Sequence, residues 1–251
     1  MHWWDVIILV GGGIVAGLIN AVAGGGSTLT VPLLVLAGVP GNAANGSNRV
    51  GVLSLSITAA AAFRRLGVRG LNRALPILIP VIVGSLVGSY GISQLTDEGF
   101  ERLFGLLILP IVFLSLRSPS SRSDQPTWSL PVTIAVFSVV GLYGGAIQAG
   151  VGLVLLSVLS RAGYDLVTAN NIKVVVVMVV TLVALPVFIL SGNIRWLQAI
   201  ILAIGQAIGG WIGAHAAVAG GEKIIRAFMV VAALALAAKL LGLYSWIGSL
   251  F

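Results

Sequence analysis

Apolar residues run along this chain in long stretches with few charges, separated by short polar or glycine-rich intervals. A helix that crosses a bilayer takes about 20 predominantly apolar residues. Runs of adequate length fall at 6–23, 48–66, 74–93, 100–116, 130–149, 172–191, 196–218 and 226–249, and each predicts a transmembrane helix. Two shorter runs, 28–38 and 151–161, each follow a glycine-rich break and predict short helices that either cross or dip back. The fold class is therefore an all-α integral membrane protein.

The order of these features repeats. Gly17 opens "GLINAVAGGGSTL" and Gly141 opens "GLYGGAIQAGVGL", an offset of 124 that also carries Gly26 to Gly150 and Arg49 to Lys173. Residues 117–129, beginning "RSPSSRSDQPTW", are the only polar linker of any length. They divide a first transmembrane repeat, 1–116, from a second, 130–251, and the linker itself is expected in the cytoplasm. Arg64, Arg65, Arg69 and Arg73 place one break inside by the positive-inside rule, as do Arg117 and Arg122 in the linker and Lys223 and Arg226 near the end. Asp97, Glu98 and Glu101 lie in the intervening outside loop, and "SGNIRW" falls outside in the second half. Each half then holds an odd number of crossings, so the halves enter from opposite faces. That predicts inverted repeats, an architecture of secondary transporters, with both chain termini outside.

Composition narrows the chemistry. Hydrophobic residues make up 58% and charged residues 8%, and the mean hydropathy is +1.10. A soluble domain carries roughly 25% charged residues, so this chain cannot cover a water-facing surface. The net charge of +7 is accounted for by topology signals and does not point to nucleic acid. With no cysteine, disulfides and thiolate metal sites are excluded, and two histidines are too few for a histidine metal cluster. No acid pair for hydrolysis, no Ser/His/Asp set and no phosphate-binding loop with its lysine is present, so neither an enzyme nor a cofactor is expected.

Glycine triplets at membrane depth mark a candidate binding site. Irregular backbone survives there only when buried in protein or lining a wet cavity. The residue after a break starts a new helix, whose first N–H groups lack partners and carry the positive end of the dipole. Such an end is an anion site. The candidates are Gly25, Gly26, Ser27 and Thr28 at the first break, and Gly150 and Gly152 at the second. Asn45, Ser47, Asn48, Thr168, Asn170 and Asn171 are expected as caps before the next long helices. Arg49 and Lys173 follow those Asn-rich stretches, each as a cation just inside a span. Such cations serve function or snorkel to the interface. Gln148 and Gln206 face substrate or bond a neighbouring helix, and His215 couples protons or is a packed helical residue. Two opposed helix N-termini with two cations suit a small, fully charged anion. Small-residue helix faces would also allow a homodimer.

At these residues the chain resembles the TauE/SafE sulfite exporter family. The match lies in "GLINAVAGGGSTLTVPLLVLAGVPGNAANGSNRVGV" and in "LSGNIRW" followed by "GQAIGGWIGAHAA". Ser47 stands where the family pattern has Thr, Arg49 where it has Lys, and "TANNIKV" is a loose second copy of the element. The resemblance implies a bacterial inner-membrane transporter that exports sulfite or a small organosulfonate such as sulfoacetate, driven by the proton-motive force. A channel of the same fold is the alternative.

Overall fold

The computed structural model describes residues 3–68, 71–100, 102, 103, 106 and 128–240, and among these no strand occurs. The helices are α1 (Trp3–Ala23), α2 (Ser27–Leu36), α3 (Gly41–Arg65), α4 (Leu71–Ser93), α5 (Leu130–Ala146), α6 (Val151–Arg161), α7 (Leu166–Leu190) and α8 (Trp196–Leu240). Four of them are long and apolar enough to cross a membrane: α1, α4 from Leu75, α7, and α8 as far as Gly220. The expected run at 100–116 and the linker at 117–127 lie outside the described residues, except for Phe100, Arg102, Leu103 and Leu106.

Three sequence expectations are corrected. The long helices α3 and α7 begin at Gly41 and Leu166, ahead of 48 and 172, so the Asn-rich stretches are helix and not breaks. Asn, Ser and Gly are weak helix formers in isolation, but here tertiary hydrogen bonds hold them. The actual starts are capped by carboxylates. The Asp165 side chain accepts from Val167 N at 3.0 Å and Thr168 N at 2.9 Å, and Asp97 accepts from Asn42 N at 2.9 Å. Finally, the runs expected at 196–218 and 226–249 form one continuous helix as far as Leu240, because the glycines at 220 and 221 are tolerated inside a helix.

Packing exchanges partners between the two parts of the chain. α1 lies along α8, α4 lies along α5, and α3 and α7 contact each other and the helices α8 and α4. Small residues form both long seams. A side chain at Gly17 would come 2.7 Å from the Gln206 carbonyl oxygen, and one at Gly209 would collide with that of Ile14. On the α4–α5 seam, Gly88 and Gly145 are pressed against the carbonyls of Leu142 and Ser85. Close backbone approach of this kind is how helices associate in lipid, which offers no hydrophobic drive between them.

The short helix α6 is buried on nearly all sides, in a core with Leu55, Phe63, Phe137, Val176 and Val180. Large apolar side chains point outward instead. Ile200, Ile204, Ile208 and Ile212 form an exposed stripe at four-residue spacing along α8, one face of a helix. Polar side chains point in, among them Asn45, Asn48, Gln148 and Gln206. Exterior apolar and interior polar is the arrangement a lipid solvent selects.

The seam generates a prediction. Gly209→Val separates α1 from α8 and lowers unfolding stability by at least about 3 kcal/mol, read as a fallen thermal midpoint in detergent. Gly11, with open space around it, accepts alanine with no loss.

Candidate functional site

Two interrupted helices meet at the centre. α1 stops at Ala23 and the chain resumes as α2 at Ser27; α5 stops at Ala146 and resumes as α6 at Val151. Each stop is a left-handed residue, Gly24 at φ +85° and Gln148 at φ +60°. Gly24 N folds back onto the carbonyls of Ile19 and Asn20 at 3.2 and 2.8 Å, the usual way a helix C-terminus is closed. The two breaks press together, since neither Gly24 nor Gly152 has room for a Cβ against the other. The Ser27 hydroxyl donates to the Gln148 carbonyl at 3.4 Å, across the junction.

The cations hold the helix ends that precede the breaks. Arg49 Nη1 donates to Gly144 O at 3.2 Å, and Nη2 donates to Gly145 O at 2.5 Å and Ala146 O at 3.2 Å. Its guanidinium lies 4.3 Å from the centre of the Phe188 ring. Lys173 Nζ donates to Asn20 O at 2.7 Å and Ala21 O at 3.2 Å. Both cations are wholly buried. Carbonyls 144 and 145 stand 124 residues beyond carbonyls 20 and 21, the same offset that relates Arg49 to Lys173. The sequence reading put each cation beside a helix N-terminus. The structure puts each on the last carbonyls of the other half's broken helix, where the dipole is negative.

The starts of the short helices are different. The N-caps are Gly26 for α2 and Gly150 for α6, and neither start receives a side-chain cap. The sequence allows either Ser27 or Thr28 to cap α2; Ser27 is instead its first residue, and the Thr28 hydroxyl donates back to Gly25 O at 2.7 Å. The long neighbours α3 and α7 already hold carboxylates at their starts. The two short-helix N-termini therefore meet at the junction with their positive ends free of acidic side-chain caps among the described residues.

Amides surround this junction. Asn45 Nδ2 donates to Ala146 O at 2.8 Å. Asn48 Oδ1 accepts from Thr30 Oγ1 at 2.6 Å and from Gln206 Nε2 at 3.3 Å. Gln148 Nε2 donates to Thr181 Oγ1 at 2.6 Å, and the Tyr143 hydroxyl donates to Ala149 O. Several buried polar atoms keep no hydrogen-bond partner: Asn45 Oδ1, Asn48 Nδ2, Arg49 Nε, Gln148 Oε1, Gln206 Oε1 and both amide atoms of Asn170.

Not every candidate joins the cluster. Ser47 Oγ accepts from Arg195 N at 2.8 Å, and Asn171 Nδ2 donates to Val68 O at 3.1 Å, so both bind loop backbone at the ends of other helices. His215 donates from Nδ1 to the Trp211 carbonyl, 2.9 Å away on its own helix. Trp211 in turn lies against Arg65, at the far end of α3. Sequence reasoning missed Thr30, Thr181, Asp97 and Asp165. Thr30 had a signal, since it lies in the stretch that carries the family resemblance, two residues before Pro32; Thr181 had none, since the residue 124 positions earlier is Ile57.

Residues 9–240 match the family described as sulfite exporter TauE/SafE. The chain belongs to the TauE/SafE family. It is thereby a membrane transporter, and curated relatives carry that description. A probable membrane transporter protein of Haemophilus influenzae is 28% identical over 238 residues, covering 93% of each chain. The probable membrane transporter protein ORF9 of a Sinorhizobium species is 26% identical over 243 residues, again 93% of each. YfcA of Escherichia coli K12, also a probable membrane transporter protein, is 26% identical over 230 residues, covering 90% of this chain and 86% of its own. No solved structure matches significantly.

In this TauE/SafE chain the cations have a structural task that can be measured. Arg49→Ala leaves the Gly144 and Gly145 carbonyls unmet and Lys173→Ala the Ala21 carbonyl, at a cost of about 1–3 kcal/mol for each carbonyl, seen as a lowered thermal midpoint. Arg49→Lys restores a cap of the kind Lys173 already makes and recovers most of that loss. An unchanged midpoint in both alanine variants would remove the capping role.

Proposed function

We propose that this protein exports a small sulfur-containing anion, sulfite or a small organosulfonate such as sulfoacetate, across a bacterial inner membrane. The observation that carries the anion site is the pair of short-helix N-termini at the junction, free of side-chain caps while α3 and α7 beside them hold carboxylates. A protein that caps its long helices with acids and leaves these two open has kept positive dipole ends for something that is not part of the chain. Gly25, Gly26, Ser27, Gly150 and Gly152 supply the backbone; Asn45, Asn48, Gln148 and Arg49 supply the neighbouring side-chain groups. The sulfur class follows the family's description, and the bacterial setting follows its relatives.

Alternating access between two inverted repeats is the mechanism this reading entails. Its support is the exchanged packing of α1 with α8 and α4 with α5, the reciprocal capping by Arg49 and Lys173, and the alternation of basic and acidic loops. A secondary transporter binds at the interface of such repeats and rocks one group against the other. Coupling to the proton-motive force then places the proton on the substrate, because His215 is turned to Trp211 and both Asp97 and Asp165 are engaged as helix caps.

The test is calorimetric binding of sulfite, sulfoacetate, sulfate, phosphate and acetate to purified protein, with flux in proteoliposomes. The expected outcome is saturable, sulfur-selective binding with counterflow. Ser27→Asp, which puts a carboxylate in the first turn of α2, weakens binding by at least about tenfold through repulsion of the anion. Electrodiffusive flux without saturation or counterflow would establish the channel reading instead.

A further inference from the structure

Gln148 stands where the other half of the chain has Gly24. Both residues close a broken helix in the left-handed region. Glycine adopts that conformation without steric cost, and glutamine does not. Gln148 is the non-glycine residue at positive φ among the described residues, and its side chain is fully buried. Backbone strain kept at one position, beside a glycine solution used at the matching one, points to a use for the side chain.

The orientation of that side chain follows from its neighbours. The Thr181 hydroxyl donates to Val177 O at 2.7 Å, so its oxygen can only accept from Gln148. The group 2.6 Å from it is therefore the amide nitrogen, and Oε1 is the open end. The same logic fixes Asn45, whose nitrogen must face the Ala146 carbonyl, leaving Oδ1 open. Arg49 shares that Ala146 carbonyl and keeps Nε without a partner. The second break thus presents one open cationic donor and two open amide oxygens.

A bare oxyanion fits only part of this set. Its oxygens would satisfy Arg49 Nε and the short-helix N–H groups, yet they would face the two amide oxygens acceptor to acceptor. A ligand with a hydrogen-bond donor beside its charged oxygens satisfies both kinds of group. We propose that Gln148 is a specificity-determining residue: it accepts a hydrogen bond from a donor on the transported anion, so among the small sulfur anions the site favours a form that bears an O–H group, hydrogensulfite over fully ionised sulfite. This rests on the anion site proposed above.

The test uses matched pairs of monoanions on the purified full-length protein: isethionate against ethanesulfonate, and hydrogensulfite against methanesulfonate at mildly acidic pH. Calorimetry is expected to show the hydroxyl-bearing member bound at least about tenfold more tightly in one pair or both, since a buried acceptor left unpaired penalises the other member. Gln148→Gly should erase that preference while its thermal midpoint holds or rises, because glycine is at home at this φ. Equal affinity within both pairs overturns the inference and leaves the anion site standing. An undiminished preference in Gln148→Gly, with a lowered midpoint, assigns the residue to folding alone and also overturns it. Failure of all four anions to bind overturns the anion site together with the inference.

Discussion

A helix that ends buried in protein leaves carbonyl groups with no water to bond, and each left unmet costs about 1–3 kcal/mol. α1 and α5 both end this way, at Ala23 and Ala146. The answer is one buried cation for each end, delivered from the other half of the chain: Lys173 for α1 and Arg49 for α5. Much else follows from that exchange. α3 and α7 must lie together at the centre, because they carry the cations. α1 and α5 must reach across to them, which draws α1 onto α8 and α5 onto α4. Glycine at the seams then becomes a requirement of distance, since the helices could not otherwise come close enough for a side chain to span the gap.

Arg49 and Lys173 are committed to the C-termini of α5 and α1, while exposed Asp97 and half-buried Asp165 hold the N-termini of α3 and α7; two helix N-termini at the buried junction have no charged side-chain partner among the described residues. Those two belong to α2 and α6, the short helices that cannot cross alone and that begin at the junction. Binding by backbone dipoles asks little of particular side chains. It also reconciles a site for an anion with cations that are turned toward carbonyls.

Much of this was legible in the residues. The apolar runs located most of the helices that the described residues form. The glycine-rich breaks at 24–26 and 150–152 located the two interruptions, after Ala23 and after Ala146. What was not legible depended on distance in space. Asn45 and Asn48 read as helix caps because asparagine favours that role locally, whereas their partners, the Ala146 carbonyl and Thr30, lie in other elements. Arg49 and Lys173 were recognised as matched cations, but nothing in the letters says which end of a distant helix a cation will meet. Asp165 was the reverse case. It stands at N-cap spacing before Val167 and Thr168, a local signal that the neighbouring Thr168, Asn170 and Asn171 also offer.

The α1–α8 seam bears on how the protein is made. Gly17 leaves the ribosome about 190 residues before Gly209, so at ordinary synthesis rates α1 stays in the membrane on the order of 10–40 s without its partner. Over most of that interval the Ala21 carbonyl also waits for Lys173. α1 is thus completed only after α7 and α8 are made, and the α1–α8 contact forms late in assembly. Nascent chains that stall in the second half would display a helix with a glycine groove and a polar terminus facing lipid, a surface open to membrane quality-control proteases.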